Sequence, residues 1–513
     1  MKKYLRIFAM VALCSLSLAS CESFLDINKN PNYPSEATCE TLLPSVCATT
    51  VVQLGYNGEV MGIMFNQYCT QGNSTNQYNS LVNYTLTASS YTGFWSNAYG
   101  NTLPDLRILE KMAEEKGYWN YWLIAKVIEA YNWSLLIDLY EDIPFTEALN
   151  ADEFPYPNYD NGKTVIYPAI ISMLDEAIAK ESAATASGQP TIANKDYYFN
   201  GNISKWVAFA KSLKLKLYMK DFDANKSAIQ SLLSSGGLLE EDCAVTCWED
   251  ATNKGNPFYE SNIRQLNTQE NVRASHTFIE YMIANNDVRL NYIYEPTYES
   301  TQNPAATSLR DRFEGLPSGT KPPTDGDGGV AITASSRWLQ HYSDPVYLMN
   351  HAEAHLLQAE AYARLGDAAN AKAQYEEGVL AGFERWGLDG SSYIAAGGAY
   401  EFDESNMVKC IMLQKWVSYA KANALDGWFD RNRTGYPALA GTITVRVDDT
   451  NPAAGLTPGY ELGTLVDPGG SSMQPKQMPR RLMTPTSSSQ YNPNAPVTKE
   501  LYEPMWWQVA DGQ

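Results

Sequence analysis

The chain has 513 residues and no long apolar run beyond its N-terminus; its mean hydropathy is −0.34. That excludes a protein built of several membrane-spanning helices, each of which needs about 20 apolar residues. Apolar residues make up 44% of the chain and charged residues 19%, which excludes a disordered chain. The 38 Lys+Arg against 58 Asp+Glu leave a net charge of −20, which argues against nucleic acid, because phosphate binding needs a basic face.

The N-terminus opens with a basic stretch, Met1-Lys2-Lys3-Tyr4-Leu5-Arg6, followed by an apolar segment from Ile7 to Leu18. This is the layout of an export signal, and the apolar segment is too short for a stable span. Small residues then lead into Cys21 (Leu18-Ala19-Ser20-Cys21), which resembles a bacterial lipobox. The expectation is a signal over residues 1–20, acylation of Cys21, a tether over 21–35 and one domain over 36–513. Loss of Lys2, Lys3 and Arg6 would take the net charge from −20 to −23. Such a body is repelled by an anionic leaflet, so the membrane would be held through acyl chains alone, and stable anchoring needs more than one chain. Six cysteines lie beyond Cys21: Cys39, Cys47, Cys69, Cys243, Cys247 and Cys410. Their pairing is open; the expected state is buried or singly paired.

Helical patterns dominate the rest. Residues 95–116 and 120–139 carry apolar side chains on one face, the second through Leu123, Val127, Tyr131 and Leu135, with Gly117 between them at a C-terminal cap position. Val165–Ala179 and Ile203–Met219 form a second pair, separated by a polar loop. A third pair spans 347–365 and 368–380; Gly366 stops the first helix and Asp367 caps the second. Leu356 to Ala371 reads like the junction of a tetratricopeptide repeat, with alanines for close approach and Tyr362 to fill the gap. A fourth pattern covers 404–424. The predicted class is mainly α, a scaffold of tetratricopeptide-type helix pairs with long insertions at 68–94, 296–345 and 432–500 and few strands.

The search for chemistry is largely negative. There is no nucleophile elbow, Walker loop or dinucleotide fingerprint. His351 and His355 lie at i and i+4, but Glu353 sits off their face, so the pair reads as packing. The run from Thr324 to Gly329 starts like a calcium loop, yet Ser336 occupies the twelfth position, where a carboxylate is required. At most a weak calcium contact is expected, and no cofactor or metal otherwise. Glu114-Glu115 and Glu240-Glu241-Asp242 read as solvated.

The 34 Tyr against 15 Phe are the unusual part of the composition, because tyrosine suits surfaces with one apolar and one wet side. Tyr78, Tyr91 and Trp95 interleave with Asn76, Gln77 and Asn97, and Trp338 with Tyr342 makes a second cluster. Aromatic faces take the C–H faces of sugars while amides bond their hydroxyls, so these eight residues are the candidate ligand contacts.

Four segments in order resemble the SusD/RagB family of Bacteroidetes surface lipoproteins. They are Cys21-Glu-Ser-Phe-Leu-Asp26; Leu139-Tyr-Glu-Asp-Ile-Pro-Phe-Thr-Glu-Ala148; Glu353-Ala-His-Leu-Leu-Gln-Ala-Glu-Ala-Tyr-Ala-Arg-Leu-Gly366; and a run from Gln414-Lys-Trp-Val through Trp428-Phe-Asp-Arg-Asn-Arg-Thr-Gly435 to Tyr491-Asn-Pro-Asn494. The resemblance implies a SusD-like helical scaffold and a non-catalytic protein on the outer face of the outer membrane. It further implies a lipid anchor and the capture of glycans for a SusC-like TonB-dependent transporter. Glu141 stands where the family usually has Gly, and some relatives bind peptides or other nutrients. A secreted glycoside hydrolase and a purely structural surface protein are the competing readings.

Overall fold

The computed structural model describes residues 37–71, 77–266, 271–316, 318, 335–439, 461–468 and 477–509. The lipidation candidate Cys21, Asn76 and the 324–329 loop lie outside them. Helices dominate and one contiguous apolar core runs through the chain. Helix α1 (Cys39–Gln53) passes through a π-helical turn at Leu54–Gly58 into α2 (Glu59–Phe65), which leads to strand β1 (Cys69–Gln71). The pattern predicted over 95–116 is a short helix α3 (Gly93–Asn97), a π-helical turn at Ala98–Thr102 and α4 (Leu103–Lys116). Gly117 ends α4 at φ 68, as its cap position predicted, and α5 (Trp119–Tyr140) folds back on it.

Strands β2 (Ile143–Pro144) and β3 (Tyr159–Asp160) pair antiparallel; helices α6 (Tyr167–Ala179) and α7 (Ile203–Tyr218) follow and pack together. Strand β4 (Cys243–Val245) pairs with the later β5 (Val346–Met349). That strand corrects the sequence reading, which began a helix at 347. The Val-Tyr-Leu-Met run after Pro345 is extended and fully buried, and the helix starts only at His351, where the Asn350 side chain accepts the Glu353 N–H at 2.9 Å. Helix α8 (His351–Leu365) then pairs with α9 (Ala368–Glu384), turned by Gly366 at φ 81 and capped by Asp367, as predicted. A β-carbon on Gly378 would sit 2.6 Å from Leu356 Cγ, so this closest helix pair requires glycine there. The predicted 404–424 helix is instead two, α10 (Met407–Tyr419) and α11 (Ala424–Thr434); the chain between them bends through Lys421 at φ 59. A last short helix, α12 (Thr486–Tyr491), precedes the C-terminal segment.

Two further expectations are revised by packing. Much of the tyrosine excess is internal: Tyr68, Tyr78, Tyr84, Tyr294, Tyr375 and Tyr419 are buried. Their hydroxyls reach partners that a phenylalanine could not, such as Tyr294 to the Tyr68 carbonyl at 2.6 Å and Tyr375 to that of Tyr400 at 3.0 Å. Within the described part of the 68–94 insertion, Tyr68, Cys69, Thr70, Gln71, Tyr78, Leu81, Val82, Tyr84, Leu86 and Phe94 belong to the buried interior. Asp242, read as solvated, is exposed and accepts the His351 N–H at 2.8 Å. Glu114 and Glu115 are exposed, and the six cysteines beyond Cys21 are free thiols.

Helices α7, α8, α10 and α11 meet around buried charge. Arg433 holds Glu360 bidentately at 2.7 and 2.6 Å and Asp430 at 2.7 Å; Lys415 pairs with Asp430, and Tyr419 donates to it at 2.7 Å. Lys216 bridges Glu353 at 2.7 Å and Asp426 at 2.5 Å. Burial pushes the Glu360 carboxyl up, but Arg433 and Arg364 outweigh it and hold it at about 2. Removing one partner strands the others in a dry core, which costs about 3–5 kcal/mol.

Arg433→Met should therefore lower the urea midpoint strongly, whereas Lys372→Ala, at the exposed 3.8 Å pair with Glu376, should change stability by less than about 0.5 kcal/mol. The unfolded chain binds the Glu360 proton near the usual glutamate value of about 4.3. Its folded carboxyl holds the proton only near 2, so stability is present above the unfolded value and falls as the pH drops through that window. Glu360→Gln should flatten this acid limb in a pH series of denaturation curves; an unchanged slope would show that Glu360 does not set it.

Candidate functional site

An open aromatic cleft of about 330 Å³ is bordered by described residues. Three distant segments build it. The first is α3 with the π-helical turn after it, which presents Trp95 and Tyr99. The second is the β2–β3 connection, where Pro155-Tyr156-Pro157 forms a wall; proline on either side of Tyr156 fixes the backbone and prevents helix formation. The third is α12 and the residue after it, with Ser488, Tyr491 and Asn492.

Each ring is held by its neighbours. Trp95 lies 4.8 Å from Tyr99, meets Tyr140 edge-on at 5.2 Å and stacks on Tyr159 at 6.1 Å and 26°. Tyr99 donates to the Pro144 carbonyl at 2.6 Å, and Tyr159 and Ser488 share a hydroxyl bond of 2.5 Å. Asn492 and Asn494 donate to the carbonyls of Pro157 and Tyr156 at 2.7 and 2.6 Å, which ties the third segment to the second. The rim is wet: Tyr156 is 56% and Tyr491 75% exposed. Burial raises the Tyr99, Tyr140 and Tyr159 phenols above their usual range, so all three are neutral at physiological pH.

No Asp, Glu, Lys, Arg or His is among the residues lining the cleft. Such a surface offers ring faces, hydroxyls and an amide. It suits an uncharged ligand with apolar and hydroxylated faces, and it lacks the pair of carboxylates that glycoside hydrolysis needs.

Of the seven singled-out residues that the structure describes, only Trp95 lines this cleft. Asn97 sits on the same short helix, but its amide is engaged with the Thr49 carbonyl at 3.0 Å and Thr102 at 3.2 Å, pinning α3 to α1. Tyr91 is half-buried at φ 54. Tyr78 is buried, its hydroxyl 3.3 Å from Asn262 Oδ1, and Gln77 is exposed away from the cleft lining. Trp338 is buried in a two-residue strand (Arg337–Trp338), edge-on to Tyr294 at 5.3 Å; Tyr342 is half-buried against Tyr259. Both rings of the second cluster are thus packed against protein.

Sequence reasoning did not place Tyr156, Tyr159 and Tyr491 in the site. The Pro-Tyr-Pro triplet is a local signal, because proline on both sides keeps Tyr156 out of a helix interior or central strand, and Pro493 stops α12 just after Tyr491. His351 and His355 face each other at 3.1 Å through their Nε2 atoms, and no group of three His, Cys, Asp or Glu among the described residues is placed to hold a metal.

Residues 31–454 match a family model described as SusD-like, starch-binding and associating with the outer membrane. Among solved structures, a SusD homologue from Bacteroides uniformis superposes with a TM-score of 0.70 at 22% identity, covering 91% of this chain and 99% of that one. A SusD/RagB family protein from Bacteroides thetaiotaomicron gives 0.66 at 21% identity, over 92% and 99%. A chitin-binding SusD homologue from Flavobacterium johnsoniae gives 0.66 at 18%, over 92% and 97%. A separate match of 34% identity over 103 residues, to the DNA double-strand break repair nuclease NurA of Saccharolobus solfataricus, spans 20% of this chain and 27% of that protein.

Tyr491→Ala should leave thermal stability within about 0.5 kcal/mol, since the ring is mostly exposed, yet weaken any ligand of the cleft roughly tenfold, as removal of an aromatic anchor does. Trp95→Ala should weaken it further, with some loss of stability from the Tyr140 and Tyr159 contacts. Calorimetry paired with thermal denaturation reads both; unchanged affinity in both variants would remove the cleft from consideration.

Proposed function

Because the chain belongs to the SusD-like family of starch-binding proteins that associate with the outer membrane, we propose that it captures neutral oligosaccharides in the Trp95–Tyr156–Tyr491 cleft and passes them to a SusC-like TonB-dependent transporter. Like its family, it is a binding protein and not an enzyme. The observation that carries the reading is the cleft itself: aromatic, open, and free of charged lining residues. Sugar C–H faces would stack on Trp95 and the rim tyrosines, while Ser487, Ser488 and Asn492 would meet hydroxyls. The chitin-binding relative supports an uncharged glycan, since an N-acetylated sugar carries no charge. A peptide has charged ends, and nothing in the lining would pair with them.

Anchoring through acylated Cys21 at the cell surface completes the proposal. Among the described residues no helix is long and apolar enough to cross a membrane. The helical scaffold would supply the face for a transporter.

The full-length chain in detergent, titrated against maltooligosaccharides, chitooligosaccharides, uronic-acid oligomers and peptides, should bind a neutral oligosaccharide with affinity that barely changes between low and high salt. Peptide binding with silence toward every glycan would overturn the assignment. Native purification should bring down a large β-barrel partner, and Cys21→Ala should release the chain from the membrane fraction.

A further inference from the structure

Four helix ends meet at one end of the molecule. Helix α1 begins at Cys39, α4 ends at Lys116, α5 begins at Trp119 and α6 ends at Ala179. Helix α1 packs against α4 and α5, and α6 packs against α5. Lys116 is within electrostatic reach of both Cys39 and Glu40, and Glu40 of Tyr121, which puts the start of α1 beside the α4–α5 turn. Lys180, just past α6, lies 3.8 Å from the centre of the Trp119 ring and 5.9 Å from that of Trp122, so the end of α6 is there too. Two amides fix the turn: Gln189 Nε2 donates to the Gly117 carbonyl at 3.0 Å, and Asn120 Nδ2 to that of Pro190 at 2.6 Å.

This end is aromatic. Tyr118, Trp119 and Trp122 are half-buried; each packs on the core and leaves the rest of its ring in solvent. Trp119 and Trp122 stand edge to face at 6.2 Å, and Lys116 lies 5.7 Å from the Tyr118 ring. The indole N–H groups set the two tryptophans apart. Those of the buried Trp133, Trp206, Trp416 and Trp428 all donate within the protein. Those of Trp119 and Trp122 have no acceptor among the described residues and are not sealed from solvent. An apolar ring body with a free N–H at its wet edge is what tryptophan brings to the headgroup layer of a bilayer.

The charge at this end also differs from that of the whole chain. Lys116, Lys180 and Lys195 make no ion pair among the described residues. They lie with Glu40, Glu114, Glu115 and Glu181, so the surface is close to neutral in a chain of net charge −20. An anionic leaflet would not repel it as it would the rest of the body, and the lysine ammoniums can reach lipid phosphates while their stems follow the rings.

The position of the chain's start selects the occupant. The described residues begin at Ala37, two residues before α1. Cys21 lies sixteen residues earlier, a length that spans at most about 55 Å when fully extended. A compact body of this size is about 60 Å across, which places its far end about 90 Å away around the surface. A membrane that holds Cys21 is therefore within easy reach of Tyr118, Trp119 and Trp122 and out of reach of the opposite end. Three rings bind a bilayer weakly by themselves, but the anchor makes the contact intramolecular, at an effective concentration of order millimolar.

We propose that Tyr118, Trp119 and Trp122 seat in the headgroup layer of the bilayer that holds the anchor, with Lys116 and Lys180 toward lipid phosphates, so that the body rests on this end instead of swinging freely. The inference rests on the acylation of Cys21 proposed above and adds a protein contact to a grip otherwise made by acyl chains alone.

Bromine on lipid acyl chains quenches only those indoles that reach the acyl boundary. The acylated full-length chain in phosphatidylcholine vesicles should therefore lose part of its tryptophan emission when the lipid is brominated. Trp119→Phe combined with Trp122→Phe keeps an apolar ring at both sites and should remove roughly half or more of that quenching with little change in Tm. Trp95→Phe in the cleft should leave the quenching in place. Anchored chain without quenching, or quenching that persists in the double variant, would overturn the proposal and leave the anchor standing. Chain that does not sediment with the vesicles would overturn the anchor and this contact with it. Indoles unquenched in vesicles but shielded in the complex with a β-barrel partner would assign the surface to that protein and overturn the lipid contact. Oligosaccharide capture in the aromatic cleft is untouched by each of these results.

Discussion

The Arg433–Glu360 pair fixes how the helix stack goes together. Glu360 lies on α8 and Arg433 on α11, 73 residues apart, yet the guanidinium meets both carboxylate oxygens at 2.7 and 2.6 Å in a dry core. A planar fork of this kind tolerates little sliding or rotation of one helix over the other. Lys415 from α10 and Lys216 from α7 then complete two charge chains, so each of the four helices that meet there contributes at least one ion. Desolvation makes such networks a poor source of net stability. Their effect is on arrangement: any other stacking of these amphipathic helices would leave a charge buried and alone.

That network also gives physical content to two of the sequence segments that pointed to the family. The Glu353–Gly366 segment supplies the buried Glu360, and Trp428–Gly435 supplies Arg433, which neutralises it together with Asp430; Glu353 is matched by Lys216 instead. Both segments place charged residues inside buried helices. The pairing rationalises it, because each half makes sense only with the other present.

What was legible and what was not divides along the same line. Gly117, Gly366 and Asp367 end or begin helices through their own backbone and side chains, and they do so where the sequence placed them. Val346–Met349 was not legible, because its four residues are an apolar run that suits a buried strand or a helix equally, and only its partner Cys243–Val245 decides. The tyrosines failed in a similar way. A loop Tyr with an Asn beside it looks the same whether its ring faces a ligand or, like that of Tyr78, the core. The aromatic cleft draws on residues near 95, 156 and 491, and no spacing within one segment encodes their meeting.

Glu141 shows how the fold and the cleft are joined. It ends α5 at φ 70 and ψ −80, a backbone state that costs a residue with a β-carbon of order 1–3 kcal/mol. Its carboxylate offsets that cost by binding Arg481, Lys499 at 2.6 Å and the Trp506 N–H at 3.0 Å, all from the C-terminal segment. Helix α12 with Tyr491 lies between Arg481 and Lys499 in the chain, so this clasp closes the loop that carries one wall of the cleft. A glycine would relieve the backbone but hold nothing. Arg481 and Lys499 border a separate pocket with Tyr140 and Asp142, and no charged residue lines the cleft itself. The chain can thus carry a net charge of −20 and still present a neutral cleft, because the ions that clasp its wall are paired with one another and none of them lines it.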